Sequence, residues 1–142
     1  MLCVDVNVLV YAHRADLPQH EVYADLLTGL ANGGEPVGLP DIVLSGFVRV
    51  ITNRRIFNEP TTPSVAWDHV DRLVGSPAGL VLHPTVRHWS HFRGLAASIN
   101  ARGNDLSDAF IAAYAIDNNA TLLSADRGFA RFTALRWRHP VA

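Results

Sequence analysis

The chain has 142 residues, 49% of them apolar, and a formal net charge of −1, which fits one globular domain over residues 1–142 and excludes a disordered chain. It contains no lysine, which excludes a P-loop, a Schiff base and the phosphoryl-transfer pockets that hold phosphate with a lysine. Its single cysteine, Cys3, excludes an internal disulfide and multi-cysteine zinc sites.

The single cysteine and the lack of a signal-peptide pattern favour a cytoplasmic protein, and the hydropathy pattern predicts no membrane partner. The longest unbroken apolar run, residues 109–116, is too short to span a bilayer, and no basic stretch leads into a signal-peptide core. Four arginines and nine acids give residues 1–71 a charge of −5, whereas eight arginines and four aspartates give residues 72–142 a charge of +4. This asymmetry is too modest to predict a nucleic-acid partner.

Helices alternate with short apolar strands along the chain. The predicted strands cover residues 2–5, 36–39, 80–82 and 121–124, with a possible edge strand at 136–138. One predicted helix ends near residue 14, and four more cover residues 19–30, 40–53, 63–74 and 85–99. A further helix carries Asp105 and Asp108 near its start and includes the apolar run 109–116. Strands separated by helices predict a three-layer α/β/α sandwich with a central, mostly parallel sheet of four to five short strands.

Four aspartates stand at the ends of predicted elements, and each has two interpretations. Asp5 follows the first strand, where α/β sheets bind ligands, but it also suits a helix cap. Asp105 and Asp108 are three residues apart at a helix start and project to one side, but Asn104 or Asp105 could instead open a capping box. Asp126 follows the strand at 121–124, where a turn residue is equally expected.

The four aspartates together favour a metal site. Strand ends and the N-termini of the following helices share one edge of a parallel sheet, which places Asp5 and Asp126 there. If the helix of Asp105 and Asp108 also points its N-terminus to that edge, three or four carboxylates converge. Their like charges raise each other's pKa, and no lysine is present to neutralise them. Hard oxygen ligands fit Mg²⁺ or Mn²⁺ better than zinc, and such sites chiefly serve phosphate chemistry.

Two further groups have a functional and a structural interpretation. Arg49, Arg54 and Arg55 collect at the C-terminal end of a helix, where the helix dipole favours cations, and they could also contact RNA phosphates. His88 and His91 have the spacing of metal ligands, but no acid lies in their segment, which favours an ordinary amphipathic helix.

Three stretches carry a resemblance to a known family. They are Cys-Val-Asp5-Val-Asn7, then Asp108-Ala-Phe-Ile-Ala-Ala-Tyr-Ala-Ile, and Leu-Leu-Ser-Ala-Asp126-Arg-Gly-Phe-Ala-Arg-Phe. In this order and spacing the chain resembles the PIN domain, and more closely the VapC-type toxins of bacterial toxin–antitoxin pairs. A Thr-Asn-Arg-Arg stretch and a closing Leu-Arg-Trp resemble a mycobacterial branch.

The resemblance implies a PIN-like fold and a Mg²⁺-dependent endoribonuclease that is neutralised by a VapB-type antitoxin and usually forms a homodimer. By position, Asp5 and Asp108 match the family's metal-binding aspartates, and Asp126 matches the acid after the fourth strand. Asn7 and Ser124 match polar positions beside the site, which implies that they support the acids.

One position departs from the family, which usually places a Glu in the helix after the second strand. Here Ser45 or Gly46 falls at that place, and no Glu occurs between residues 35 and 59. Asp41 lies about one turn earlier, whereas Asp105 could compensate from the other side. We therefore assign Asp105 with the other three aspartates to the catalytic set, where it and Asp126 bind a second ion or orient water.

Two alternatives remain beside the nuclease. A catalytically weak or inactive domain that binds RNA or a protein would explain the missing Glu, whereas a phosphatase or receiver-like domain is disfavoured by the absence of lysine and by Asn7.

The antitoxin would need a docking surface. Candidate walls of a cleft for its amphipathic peptide are Trp67, Trp89 and Phe92, although core packing is the commoner use of such residues.

Overall fold

A computed structural model describes all 142 residues and has a five-stranded parallel sheet between two layers of helices. The elements are β1 (Leu2–Val4), α1 (Val6–His13), α2 (His20–Ala31), β2 (Val37–Pro40), α3 (Asp41–Ile51), α4 (Pro63–Val74), β3 (Gly79–Leu82), α5 (His88–Ser98), α6 (Asn104–Asp117), β4 (Thr121–Leu123), a 3-10 helix (Arg127–Arg131) and β5 (Trp137–Arg138). The predicted three-layer α/β/α architecture is confirmed.

The strand order β3-β2-β1-β4-β5 makes β1 the centre of the sheet. From β1 the chain moves outward to β2 and β3 on one side, and then crosses back to β4 and β5 on the other. All four strand pairs are parallel. The direction of winding therefore reverses between β1 and β4, and in open α/β sheets the crevice beyond the strand ends at such a point is where ligands bind.

Two hydrophobic cores lie on opposite faces of the sheet because side chains alternate along each strand. Leu2 and Val4 of β1 join the core under α1 to α4, whereas Cys3 points into the core under α5 and α6. Burial raises the pKa of the Cys3 thiol to about 12, so this cysteine remains protonated and behaves as a small apolar core residue.

Three predicted helix starts differ from the structure, and the first is that of α2, which begins at His20 rather than at Gln19. Pro40 ends β2, and α3 begins one residue later at Asp41. Helix α5 begins at His88 rather than at residue 85, because the Thr85 hydroxyl accepts a hydrogen bond from the Arg87 backbone N–H at 3.1 Å and forms a local turn. None of the helices combines the length and the apolarity that crossing a membrane requires.

Candidate functional site

Asp5 stands at the junction of β1 and α1, at the centre of the sheet edge. Its backbone is extended, and its Oδ1 accepts a hydrogen bond from the Val6 N–H at 2.7 Å, so it caps α1. The residue is only 7% exposed, and burial raises the pKa of its carboxyl above the usual range. Helix cap and buried acid at the strand end are therefore both correct descriptions of Asp5.

A polar network fixes the second oxygen of Asp5. The hydroxyl of Ser124, which is fully buried after β4, donates to Asp5 Oδ2 at 2.7 Å. The side-chain amide of Asn7 donates to the same oxygen at 3.2 Å and to Ser124 Oγ at 3.1 Å. The side-chain oxygen Oδ1 of Asn7 accepts a hydrogen bond from the Ala125 N–H at 3.1 Å, which connects the start of α1 to the end of β4. Asn7 and Ser124 thus lie against the acid, where the resemblance placed them.

Asp126 closes the same turn after β4. Its backbone N–H donates to Ser124 Oγ at 3.0 Å, and its Oδ1 accepts from the Gly128 N–H at 2.8 Å, which caps the 3-10 helix. It lies close enough to Asp5 and Asp108 for its charge to raise the pKa of both carboxyls. Asp126 is therefore a turn residue and also lies near the other acids.

Helix α6 brings Asp105 and Asp108 to this edge with its first turns. The cap is Gly103, at a φ of +59° that favours glycine, so the expectation of Asn104 or Asp105 as the cap is wrong. Asp105 instead accepts from the Arg102 N–H at 3.3 Å with Oδ2. No side chain caps α6, and the second oxygen of Asp105 and the carboxylate of Asp108 instead contact Arg131.

Asp108 belongs electrostatically to the same cluster as Asp5 and Asp126. Burial raises the pKa of its carboxyl, repulsion from Asp126 adds to that effect, and Arg131 opposes it. A smaller repulsion comes from Asp5. Three carboxylates from β1, α6 and β4 therefore converge where the winding of the sheet reverses.

Sequence reasoning missed one residue of this cluster, Arg131 at the end of the 3-10 helix. Its Nη2 lies 3.0 Å from Asp105 Oδ1 and 3.0 Å from Asp108 Oδ2. The absence of lysine had suggested that no side chain could neutralise the acids, but an arginine does so here. Nothing in the spacing distinguishes Arg131 from the eleven other arginines, so the sequence carries no signal for this role.

The donor set fits a hard divalent cation by its chemistry. Carboxylate oxygens at a partly buried, mutually repelling cluster are the ligands that Mg²⁺ and Mn²⁺ prefer. The carboxylate oxygens do not lie at metal-coordination distances from a common point, since no group of three His, Cys, Asp or Glu side chains is placed to hold a metal ion. In the structure Asp105 and Asp108 are paired with Arg131 instead.

Gly46, one of the two residues at the position of the missing Glu, lies against the start of α1. A Cβ built on it would lie 3.0 Å from Val6 Cγ2, next to Asp5, whereas Ser45 is exposed. Asp41 does not replace the Glu: it accepts hydrogen bonds from Tyr114 Oη at 2.6 Å and from His83 Nδ1 at 3.1 Å. Burial tends to raise the pKa of Asp41, but these two bonds hold it below the usual value.

The three candidate RNA-contacting arginines are in different places. Arg49 lines a cavity of about 480 Å³ between α3, α5 and α6, whose walls include Val6 and Ser107, the neighbours of Asp5 and Asp108. It is exposed and forms no ion pair. Arg54 and Arg55 are exposed in the turn after α3, roughly 16 Å along the helix from its start at the site edge.

His88 and His91 do not come together. His88 is buried, and its Nε2–H donates to the Phe110 carbonyl at 3.0 Å, whereas His91 lies 3.8 Å from the Asp117 carboxylate. The aromatic cleft expected from Trp67, Trp89 and Phe92 is also not formed. Trp89 and Phe92 pack with ring centroids 5.4 Å apart on α5, but Trp67 is on α4, in the helix layer at the other face.

The sequence matches the PIN domain family over residues 2–135. It is 64% identical over 141 residues to a VapC ribonuclease of Mycobacterium bovis and to ribonuclease VapC43 of Mycobacterium tuberculosis, an alignment that covers 99% of this chain and 96% of each relative. Ribonuclease VapC31 of Mycobacterium tuberculosis is 35% identical over 140 residues, with 99% of both chains covered.

The fold also matches solved structures. The structure of VapBC2 from Rickettsia felis bound to a promoter DNA fragment aligns with a TM-score of 0.73 at 19% identity over 97% of both chains. That of VapBC-1 from nontypeable Haemophilus influenzae aligns with a TM-score of 0.71 at 16% identity, over 99% of this chain and 98% of the other. Sequence and fold agree, and the chain belongs to the VapC family of PIN-domain proteins.

Proposed function

We propose that this chain is a divalent-metal-dependent endoribonuclease, the toxin of a type II toxin–antitoxin pair. The observation that carries the proposal is the convergence of Asp5, Asp108 and Asp126 where the winding of the sheet reverses. Like charges are held together there at an energetic cost, which a bound cation offsets. The ribonuclease names of the mycobacterial relatives support RNA as the substrate.

In this proposal Asp5 and Asp108 hold Mg²⁺ (or Mn²⁺), with Asp105 and Asp126 available for a second ion. A bound divalent cation lowers the pKa of a water molecule and offsets negative charge on the phosphate and the leaving oxygen. Asp5 is fixed for this role because both of its oxygens accept hydrogen bonds from the protein, Oδ1 from Val6 and Oδ2 from Asn7 and Ser124.

Water is the proposed nucleophile. It attacks phosphorus, the bond to the ribose 3′ oxygen breaks, and the fragments end in a 3′-hydroxyl and a 5′-phosphate. The ribose 2′-hydroxyl is not required. Asp126 suits the orientation of this water, because Gly128 fixes its Oδ1 while the residue remains exposed at the edge of the cluster.

Arg49 is the best-placed of the three arginines for contact with RNA. Its guanidinium is exposed, forms no ion pair and borders a cavity that reaches the neighbours of Asp5 and Asp108. Arg54 and Arg55 could contact only RNA phosphates that lie farther along the RNA from the acidic site. Phosphate contacts of this kind give affinity without sequence preference, so the sequence cut in the RNA must depend on other groups.

We further propose a VapB-type antitoxin and a second copy of the chain as partners, acting in the cytoplasm on cellular RNA. The antitoxin is supported by the solved neighbours, which are VapBC assemblies. Exposed apolar side chains offer surface for association, notably Trp89 at 63% and Val86 at 99% exposure on or beside α5, and Trp67 at 54% on α4.

The test is cleavage of total RNA by wild type, Asp5→Asn, Asp108→Asn and the control Asp25→Asn, each with Mg²⁺, with Mn²⁺ or with EDTA. Asp25 is exposed on α2 and forms no ion pair. We expect cleavage by wild type and Asp25→Asn only, abolished by EDTA, with fragments degraded by an exonuclease that requires a 5′-phosphate. Equal cleavage by all four proteins would overturn the assignment of the activity to Asp5 and Asp108.

A second candidate is a catalytically weak domain that binds RNA or a protein through the same edge. It is favoured by Gly46, which supplies no carboxylate where the family usually has one, and by the pairing of Asp108 with Arg131. Retained RNA binding without Mn²⁺ binding at millimolar concentration, measured by calorimetry, would select this function over the nuclease.

A further inference from the structure

Arg131 occupies a position between two carboxylates of the proposed metal site. A single nitrogen, Nη2, contacts both Asp105 Oδ1 and Asp108 Oδ2 at 3.0 Å. The side chain of Arg131 is 33% exposed, and those of Asp105 and Asp108 are 39% and 25% exposed. The guanidinium thus lies at the mouth of the cluster, accessible to water and to a ligand.

The arginine is positioned by its own segment as well as by its ion pairs with α6. Its Cζ lies 5.1 Å from the centroid of the Phe132 ring, within the range of a cation–π contact. Gly128 leaves room for the other end of the guanidinium, since a Cβ at that residue would lie 2.7 Å from Arg131 Nη1. The cation is therefore presented by the turn after β4 to acids on a separate helix.

We propose that Arg131 is the resident counter-ion of the metal-free site, and that it moves from Asp108 to a phosphate of the RNA when a divalent cation binds Asp108. The proposal rests on the proposed nuclease function. It explains why the acids can remain close together without a metal. It also assigns a phosphate contact to the one cation that already lies within the cluster.

Competition for the same carboxylate is the physical basis. A divalent cation at Asp108 would compete with Arg131 for the negative charge of this carboxylate, and repulsion between the two positive groups would weaken the hydrogen bond from Arg131 to Oδ2. Once released, the guanidinium retains a planar set of donors that matches phosphate oxygens. The Phe132 ring, whose centroid lies 5.1 Å from Arg131 Cζ, keeps the guanidinium near the site. Arg131 would then be a catalytic residue, because it would touch the substrate.

The first measurement needs neither metal nor RNA. In EDTA we expect Arg131→Gln to lower the Tm by about 2–5 °C, since the lost ion pairs are partly exposed, and the loss should largely vanish in an Asp105→Asn/Asp108→Asn background. Arg127→Gln is the matched control, because Arg127 is exposed in the same 3-10 helix and forms no ion pair. An equal loss of Tm in both backgrounds would overturn the counter-ion role.

The second measurement is Mn²⁺ affinity by calorimetry without RNA. We expect Arg131→Gln to bind Mn²⁺ about three- to tenfold more tightly than wild type, whereas Arg131→Lys keeps the charge and stays near wild type. Unchanged affinity in Arg131→Gln would overturn the competition.

The third measurement is RNA cleavage at saturating Mn²⁺. Arg131→Gln should cleave with a higher KM despite its tighter metal binding, and Arg131→Lys should recover part of that loss. Undiminished cleavage would overturn the phosphate contact. If wild type neither binds Mn²⁺ nor cleaves RNA while the Tm effect in EDTA still depends on the two aspartates, the nuclease function fails and the counter-ion role stands.

Discussion

Ser124→Ala tests how firmly the fold fixes the central acid. The Ser124 hydroxyl is fully buried and makes three hydrogen bonds, donating to Asp5 Oδ2 at 2.7 Å and accepting from Asn7 Nδ2 at 3.1 Å and from the Asp126 N–H at 3.0 Å. Alanine removes only the oxygen, so the packing of the turn stays nearly the same. The loss of unfolding free energy in Ser124→Ala therefore measures the contribution of the polar network itself.

The expected loss of unfolding free energy is about 2–4 kcal/mol. A hydrogen bond to a charged group contributes about 1.5–3 kcal/mol, and leaving the amides of Asn7 and Asp126 without their acceptor adds about 1 kcal/mol. For a chain of this size that lowers the Tm by about 5–12 °C. The loss should shrink in acid, because the Ser124 bond favours the ionised form of Asp5 and a protonated Asp5 gains less from it.

The assay is urea denaturation in EDTA, followed by circular dichroism, for wild type, Ser124→Ala, Asp5→Asn and the double variant. Ser98→Ala is the control, because the Ser98 hydroxyl is on the exposed side of α5 and donates only to the Leu95 carbonyl. We expect Ser98→Ala to cost less than about 0.5 kcal/mol and the Ser124–Asp5 coupling energy to be about 1 kcal/mol.

Two results would refute the reasoning about Ser124. One is a loss of less than about 1 kcal/mol in Ser124→Ala, since a fully buried hydroxyl with three partners cannot be that inexpensive to remove. The other is a coupling energy indistinguishable from zero, which would mean that Ser124 stabilises the turn after β4 without acting on Asp5.

Two further predictions concern Asp108 and Gly46. Burial, followed by repulsion from Asp126, raises the pKa of the Asp108 carboxyl above its unfolded value of about 3.9. The folded protein therefore binds this proton more tightly than the unfolded chain does, and the resulting stabilisation is lost as the pH rises through the higher pKa. In metal-free buffer the free energy of unfolding of Asp108→Asn should therefore fall less than that of wild type as the pH rises above about 4. Parallel plots of unfolding free energy against pH for the two proteins would contradict this. Gly46→Glu should bind Mn²⁺ more tightly than the matched Gly46→Gln, with both losing a few degrees of Tm to the contact with Val6; equal Mn²⁺ affinities would place the new carboxylate out of reach.

Most of the fold could be predicted from periodicity alone. Short, mostly apolar strands such as β1 and β4 indicate a sheet buried on both faces, and the helices between them require parallel pairing. The start of α5 was misplaced because Thr85 forms a turn through its own hydroxyl, which hydrophobic spacing does not reveal. That the chain is one domain over residues 1–142 remains a prediction.

The site was only partly accessible from the sequence. Strand ends placed Asp5 and Asp126 at one edge, because the topology of a parallel sheet follows from local patterns. The partners of Arg131 and Asp41 could not be predicted, since they depend on side-chain directions across elements 23 to 73 residues apart. The roles of the four aspartates, of Asn7 and Ser124 and of the arginines remain predictions that the proposed assays test.

Asp5 and Asp126 are held at the site by different interactions from those that hold Asp108, and this difference affects metal binding. Asp5 and Asp126 are joined through Ser124 by bonds that follow from the pairing of β1 with β4, so the sheet itself fixes them. Asp108 is held to the turn after β4 by an exposed ion pair, which an incoming cation can exchange at little cost. A metal that bridges Asp5 and Asp108 would therefore replace this ion pair and fasten α6 to the sheet edge, so that metal binding and the order of the first turn of α6 should be coupled.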